Sequence, residues 1–414
     1  MKMIVCGDIA LCRETERMVM QGRAEQIAGD LRERLIGAEV FLANLECPLT
    51  DSTKPRWSYF PTLKGSRSVG LFLGQLGVNV VSLANNHIAD YGKAGLSDTI
   101  SVLEGQGIAW LGAGFTVQEA NQPLTLERSG VRLGIMALAQ PEISAATKAG
   151  WGAAVLEDRS ALTMMKNLKR KVDFAIAYLH FGVEFSEYPT PHQIWLSRNL
   201  VEAGAGLVLG HHSHTAQGYE YYRDGFIAYG LGNFIFDMPP DPRKRSRLGI
   251  LLQVDVDGKK LRNVEVIPVE TSCGKTTALD GRNRFETDRY LGEVSEVLKN
   301  NIELKKIYYR ICLENFRIHL HSLVHYSARR LDVRRMLSWA SAQGWPQLRE
   351  LRRDLVRFMI SGEALEYEKK RKPQSKEWPA VLWKIICLSF FIVGVPWGKR
   401  LSHERYLQKM VPEK

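Results

Sequence analysis

Residues 207–218 read LVLGHHSHTAQG: an apolar run closed by Gly210, then His211, His212 and His214. A short apolar run bounded by glycine reads as a strand buried on both faces. The three imidazoles sit just past its end. A solvated loop has no need of them, and an apolar core holds them only if they are partnered.

The same pattern recurs along the chain. Asp8 follows MIVCG, Asn44 and Glu46 follow VFLA, Asn85, Asn86 and His87 follow VVSLA, and His180 follows FAIAYL. Between these runs lie the helical patterns SVGLFLGQLG, KAGLSDTISVLEGQG and IWLSRNLVEAG. GFIAYGLGNFIF, SRLGILLQVDV and LRNVEVIPVE read as later, partly antiparallel strands, with a turn at DGKK. Alternating strands and helices predict an α/β layered domain around a large central sheet. In open α/β sheets the ligand crevice lies beyond the carboxyl ends of the strands. Five strand ends therefore deliver carboxylates, amides and imidazoles to one crevice. Any one of these residues alone is equally a turn former, a cap or a hydrogen-bonded structural histidine. Together they suit one or two divalent ions such as Mn²⁺, Zn²⁺ or Fe²⁺. No cysteine lies among them, which argues against a structural zinc site.

The chain has 414 residues and a formal net charge of +11. Residues 281–414 hold 27 Lys+Arg and 15 Asp+Glu, so the first 280 residues are almost neutral and the rest is strongly basic. Six scattered cysteines without a CxxC pair suit a reduced, intracellular chain, and no long apolar leader precedes MKMIVCGDIA. A basic region implies an anionic partner. No recognisable nucleic-acid-binding motif accompanies it, which favours an anionic membrane surface.

Taken in order, GDI, NLECPLT, SLANNHIADYGKAGL, LHFGVEFSEYPTPHQ, GHHSHTAQGYE and YGLGNFIFD resemble the CapA family of poly-γ-glutamate capsule synthesis proteins, over about residues 3–270. That family falls in the calcineurin-like metallophosphoesterase superfamily. The resemblance implies a four-layer α/β/β/α sandwich with a metal site formed by Asp8, Glu46, Asn86, His180, His212 and His214. It implies a leaving-group role for His87, with Asp90 as its catalytic companion, and makes Glu184 a group that orients His180. His211 is additional to the superfamily's Gly-His-x-His loop.

Two motifs depart from the superfamily pattern. Asp-x-His is here Asp8-Ile9-Ala10, and Gly-Asp-x-x-Asp is replaced by ANLECPL. One ion position thus lacks a standard ligand, and the site holds one tight and one weak ion, or a single ion. The function implied is a metal-dependent hydrolase of capsule or other cell-surface polymer biosynthesis, with metal-activated water as nucleophile and an anionic polymer or phosphoester as substrate. The alternative is a non-catalytic metal- or polyanion-binding subunit that works beside polymer synthase subunits in an export complex.

Residues 281–375 read as a basic helical region in which His319, His321 and His325 fall on helix faces beside aromatics. Residues 376–414 form an apolar tail. Its stretch 385–398 is uncharged, Trp378, Trp383 and Trp397 flank it, and Lys369, Lys370, Arg371, Lys372, Lys376, Lys399 and Arg400 border it. Fourteen uncharged residues fall short of the roughly 20 a spanning helix needs. The expectation is a cytoplasmic protein held at the membrane by this tail lying in the leaflet; a spanning helix or a core helix are the alternatives.

Overall fold

Parallel strands covered on both faces need apolar residues at every position, and Met3–Val5, Val40–Ala43 and Phe174–Leu179 are buried throughout. In the computed structural model the described residues are 1–311, apart from 57–60, 142–143, 147–149, 238–243, 301, 305 and 309–310. They build two main sheets. The first runs Lys275–Ala278, Lys260–Ser272, Leu248–Asp257, Lys2–Ala10, Val40–Leu45, Val80–Ser82, Ala109–Leu111, and Asn233–Phe236 pairs parallel to the end of Lys2–Ala10. The second runs Tyr219–Tyr222, Gly225–Ala228, Leu207–His211, Phe174–His180, Val131–Ala139, Leu124–Arg128.

The pleat shows how the layers stack. Phe174, Ile176 and Tyr178 enter the core shared with Val5, Leu42 and Leu252 of the first sheet. Ala175, Ala177 and Leu179, one residue out of phase, face a second core built with Met165 and Leu168 of the helix Asp158–Lys169 and Leu196 and Leu200 of the helix Pro191–Glu202. Phe72, Leu96 and Leu103, from the helices Leu71–Leu76 and Gly92–Glu104, join the first core. The result is the four-layer α/β/β/α arrangement that the motif resemblance implies. The single large sheet expected from the alternation is corrected to two. A parallel strand buried on both faces carries the same apolar run whichever sheet it joins, so local pattern cannot tell where the chain changes sheets.

Helix ends are specified locally. Thr190 and Gln193 form a reciprocal capping box, with Thr190 Oγ1 accepting from Gln193 N at 3.1 Å and Gln193 Oε1 from Thr190 N at 2.9 Å. The helix Gly281–Val297, counted with the basic region in the sequence, buries Tyr290, Leu291 and Val294 in the core of the body. The compact unit that contains it extends from Met1 to Ile311. His319, His321, His325 and the apolar tail lie outside the described residues. Among the described residues no helix is long and apolar enough to cross a membrane.

Candidate metal centre

Strand register brings the polar groups together. Asp8 lies in register with Asn44 on one neighbouring strand and with Asn233 on the other. His211 and His180 are paired in the second sheet. Asp8, Asn44 and Glu46 therefore come from the first sheet, and His180 and the 211–214 loop from the second. Gly210 is required where the chain leaves its strand, because a Cβ there would lie 2.0 Å from the Tyr229 carbonyl oxygen. Beyond it His212 and His214 take left-handed backbone angles, φ 84° and 52°. Such angles cost bulky residues about 1–3 kcal/mol, a strain typical of functional loops.

The six expected metal ligands converge, and each is buried. His180 Nε2 lies 2.9 Å from Asn86 Oδ1, 3.1 Å from His212 Nδ1 and 3.5 Å from Glu46 Oε1. One nitrogen carries at most one proton, so hydrogen bonding alone cannot account for three such neighbours. With ligand bonds of about 2.1 Å, donors around one tetrahedral ion stand about 3.4 Å apart, which matches these spacings. Glu46, His180 and His212 form one group able to hold an ion, and Asp8, Glu46 and His214 form a second. Glu46 belongs to both, so the donor set fits one ion or a pair sharing a carboxylate. On the second side, His214 Nε2 is 3.8 Å from Glu46 Oε1 and His214 Nδ1 is 3.8 Å from Asp8 Oδ2.

Burial keeps two of the imidazoles ready to act as ligands. Burial, reinforced by His212, pushes His180 well below the usual histidine range. Burial also lowers His214, against the opposing charges of Asp8 and Glu184. Burial alone would raise the Asp8 carboxyl, but His211, His180 and His214 hold it well below the usual carboxylate range. Glu184, expected to orient His180, bears electrostatically on His214. Asn44 Nδ2 lies 3.3 Å from His180 Nδ1, on the ring edge opposite the Nε2 contacts.

His87 stands apart from both donor groups. Its Nδ1 donates to Asp90 Oδ2 at 2.8 Å, and its side chain is 14% exposed, whereas that of Asp90 is fully buried. The loop carrying it is fixed by Asn85, whose Oδ1 accepts from the backbone N–H of His87 and Ile88 at 3.1 and 2.9 Å. Ser144 Oγ donates to the Asn86 carbonyl at 2.6 Å. Leu63 N also donates to Asp90 Oδ2, at 2.8 Å.

One residue escaped the sequence reading as a site member. Asn233 Oδ1 accepts from His214 Nδ1 at 2.9 Å, which turns Nε2 toward Glu46. An asparagine set inside an otherwise apolar strand was the available signal. Asn44, placed at a strand end from the sequence, holds Asp8 rather than an ion: its Nδ2 donates to Asp8 Oδ1 at 2.8 Å.

The family described as bacterial capsule synthesis protein PGA_cap matches residues 2–238. The chain belongs to this family. A "Capsule biosynthesis protein CapA" of Bacillus anthracis is 26% identical over 295 residues, covering 68% of this chain and 71% of that protein. A "PGA biosynthesis protein CapA" of Bacillus subtilis is 27% identical over 271 residues, covering 64% and 70%. Among solved structures, the calcineurin-like phosphoesterase YfkN from Bacillus subtilis is similar at 11% identity and TM-score 0.38, covering 74% of this chain and 98% of that one. The matched PGA_cap span contains every candidate ligand together with His87 and Asp90.

Proposed function

We propose that this PGA_cap protein is a divalent-metal-dependent hydrolase serving synthesis of an anionic cell-surface polymer of the poly-γ-glutamate kind. The observation that carries this reading is the His87–Asp90 pair, partly exposed and next in sequence to Asn86, whose Oδ1 lies 2.9 Å from His180 Nε2 in a donor group that shares Glu46 with a second. A divalent ion supplies Lewis acidity toward a phosphoryl or acyl oxygen and lowers the pKa of water.

The chain's own residues do the rest. Asp8, Glu46, Asn86, His180, His212 and His214 hold the ion or ions, and burial favours the unprotonated form of His180 and His214 for that task. Asp90 fixes the His87 tautomer with the proton on Nδ1. Nε2 is then the atom that exchanges a proton with the leaving group, a role worth about 10²–10⁴ in rate. The basic region and tryptophan-flanked tail, read from sequence, support a place at an anionic membrane surface near polymer synthase subunits.

The test is turnover by Mn²⁺-loaded protein on an aryl phosphodiester and on γ-glutamyl oligomers, with metal content measured alongside. Loaded wild type should turn over one of them, and His180→Ala should lose metal. Loaded protein inert toward both classes would favour a non-catalytic accessory role.

A further inference from the structure

Three histidines crowd the 211–214 loop, and the two donor groups use only His212 and His214. His211 is 1% exposed. Its Nδ1 lies 2.7 Å from Asp8 Oδ1, and an ionised carboxylate only accepts, so Nδ1 carries the proton. Its Nε2 is buried and finds no hydrogen-bond partner among the described residues. The ring packs on Tyr178 with centroids 4.3 Å apart. A buried imidazole nitrogen without a partner is costly, and an apolar side chain would pack there without that cost. Retaining a histidine therefore points to its other nitrogen.

We propose that His211 is a positioning residue for Asp8. The reading rests on the metal centre proposed above. His211 Nδ1 and Asn44 Nδ2 both donate to Asp8 Oδ1, at 2.7 and 2.8 Å. Two donors occupy that oxygen. Oδ2 accepts only the longer backbone N–H of His212, at 3.4 Å, and lies on the side of His214, 3.8 Å from its Nδ1. The clamp thus selects which carboxylate oxygen faces the Asp8–Glu46–His214 group. This chain has Ala10 where the superfamily's first motif has a second ligand. Orientation of Asp8 then carries more of the affinity for the ion on that side. The group Glu46, His180 and His212 takes no ligand atom from Asp8. His211 thereby sets the difference in affinity between the two positions.

The experiment measures Mn²⁺ binding to the full chain by equilibrium dialysis, with electron paramagnetic resonance to separate paired from single ions. The variants are His211→Leu, which keeps bulk and removes the donor, and His211→Asn, whose amide can replace Nδ1–H. Loss of an orienting group typically weakens an ion about 10–100-fold. The expected result for His211→Leu is one ion at wild-type affinity, a second weakened by that factor, and loss of the spin-coupled signal. His211→Asn should restore both, and the metal-free melting temperature should not track the loss.

Equal weakening of both ions, or of neither, overturns the proposal. So does a wild type that binds a single ion, or a nitrogen coupling to Mn²⁺ that disappears in His211→Asn, which would make His211 a direct ligand. A wild type that binds no ion would sink the metal centre itself, an outcome separate from failure of the clamp.

Discussion

Replacing Glu46 by glutamine should make the metal-free protein more stable and the metal-loaded protein less so. Glu46 is fully buried, and its carboxylate oxygen lies within 4.8 Å of one from Asp8. At that separation and an effective dielectric constant of about 20, two negative charges repel by about 3.5 kcal/mol. Burial lowers His180 and His214, so neither brings a full positive charge to Glu46 near pH 7. Glutamine keeps the shape and removes the charge. After allowance for weaker contacts made by the amide, the net gain should be about 2–3 kcal/mol, or roughly 3–5 °C in Tm for a body of this size. With Mn²⁺ the order reverses. Ligand at 100 times its Kd stabilises wild type by about 2.7 kcal/mol, and the variant, lacking the shared carboxylate, gains far less. The assay is a thermal melt of each protein in chelator and in saturating Mn²⁺. If chelated Glu46→Gln melts below chelated wild type, or if its Mn²⁺-induced shift equals that of wild type, Glu46 is not the carboxylate shared by the two donor groups.

Three further outcomes follow from the same geometry. His87→Ala should cut turnover by about 10²–10⁴ while metal content, read by elemental analysis, stays at wild-type level; equal metal loss in His87→Ala and His180→Ala would make His87 another ligand. In the metal-free protein, the lowered pKa values of His180 and His214 mean that the unfolded chain binds protons near pH 6.5 where the folded chain does not. Stability should therefore fall on acidification from about pH 6.5, by up to roughly 1.4 kcal/mol per pH unit for each histidine; urea melts that show a rise instead would contradict this. Full-length protein should float with anionic liposomes more than with neutral ones and lose that preference in high salt, whereas a chain ending near Lys370 should stay behind; full-length protein that ignores liposomes would remove the membrane role from the tail.

Much of the centre was legible because each ligand ends an apolar run. Asp8, Glu46, Asn86, His180 and the histidine loop could each be placed at a strand end from hydrophobicity alone. What could not be read was which strands are neighbours. The Asp8 and His180 strands carry equivalent apolar runs, yet they lie in different sheets that face each other across one core. Nor does any local pattern show that Asn233, more than 200 residues from Asp8, pairs with it in register. Spacing in sequence puts Glu184 near His180, but only the fold shows that its charge also bears on His214, an imidazole from another strand end. The distinct task of His211 needed coordinates too, since a histidine that ligates and one that holds a ligand are identical in sequence.

The central claim is that these side chains form a divalent-metal centre, and anomalous diffraction from a crystal grown with Mn²⁺ tests it most directly. The account predicts an anomalous peak bounded by Glu46, Asn86, His180 and His212, with any second peak bounded by Asp8, Glu46 and His214. A fully occupied Mn²⁺ elsewhere, or no peak between these residues at saturating Mn²⁺, would contradict it.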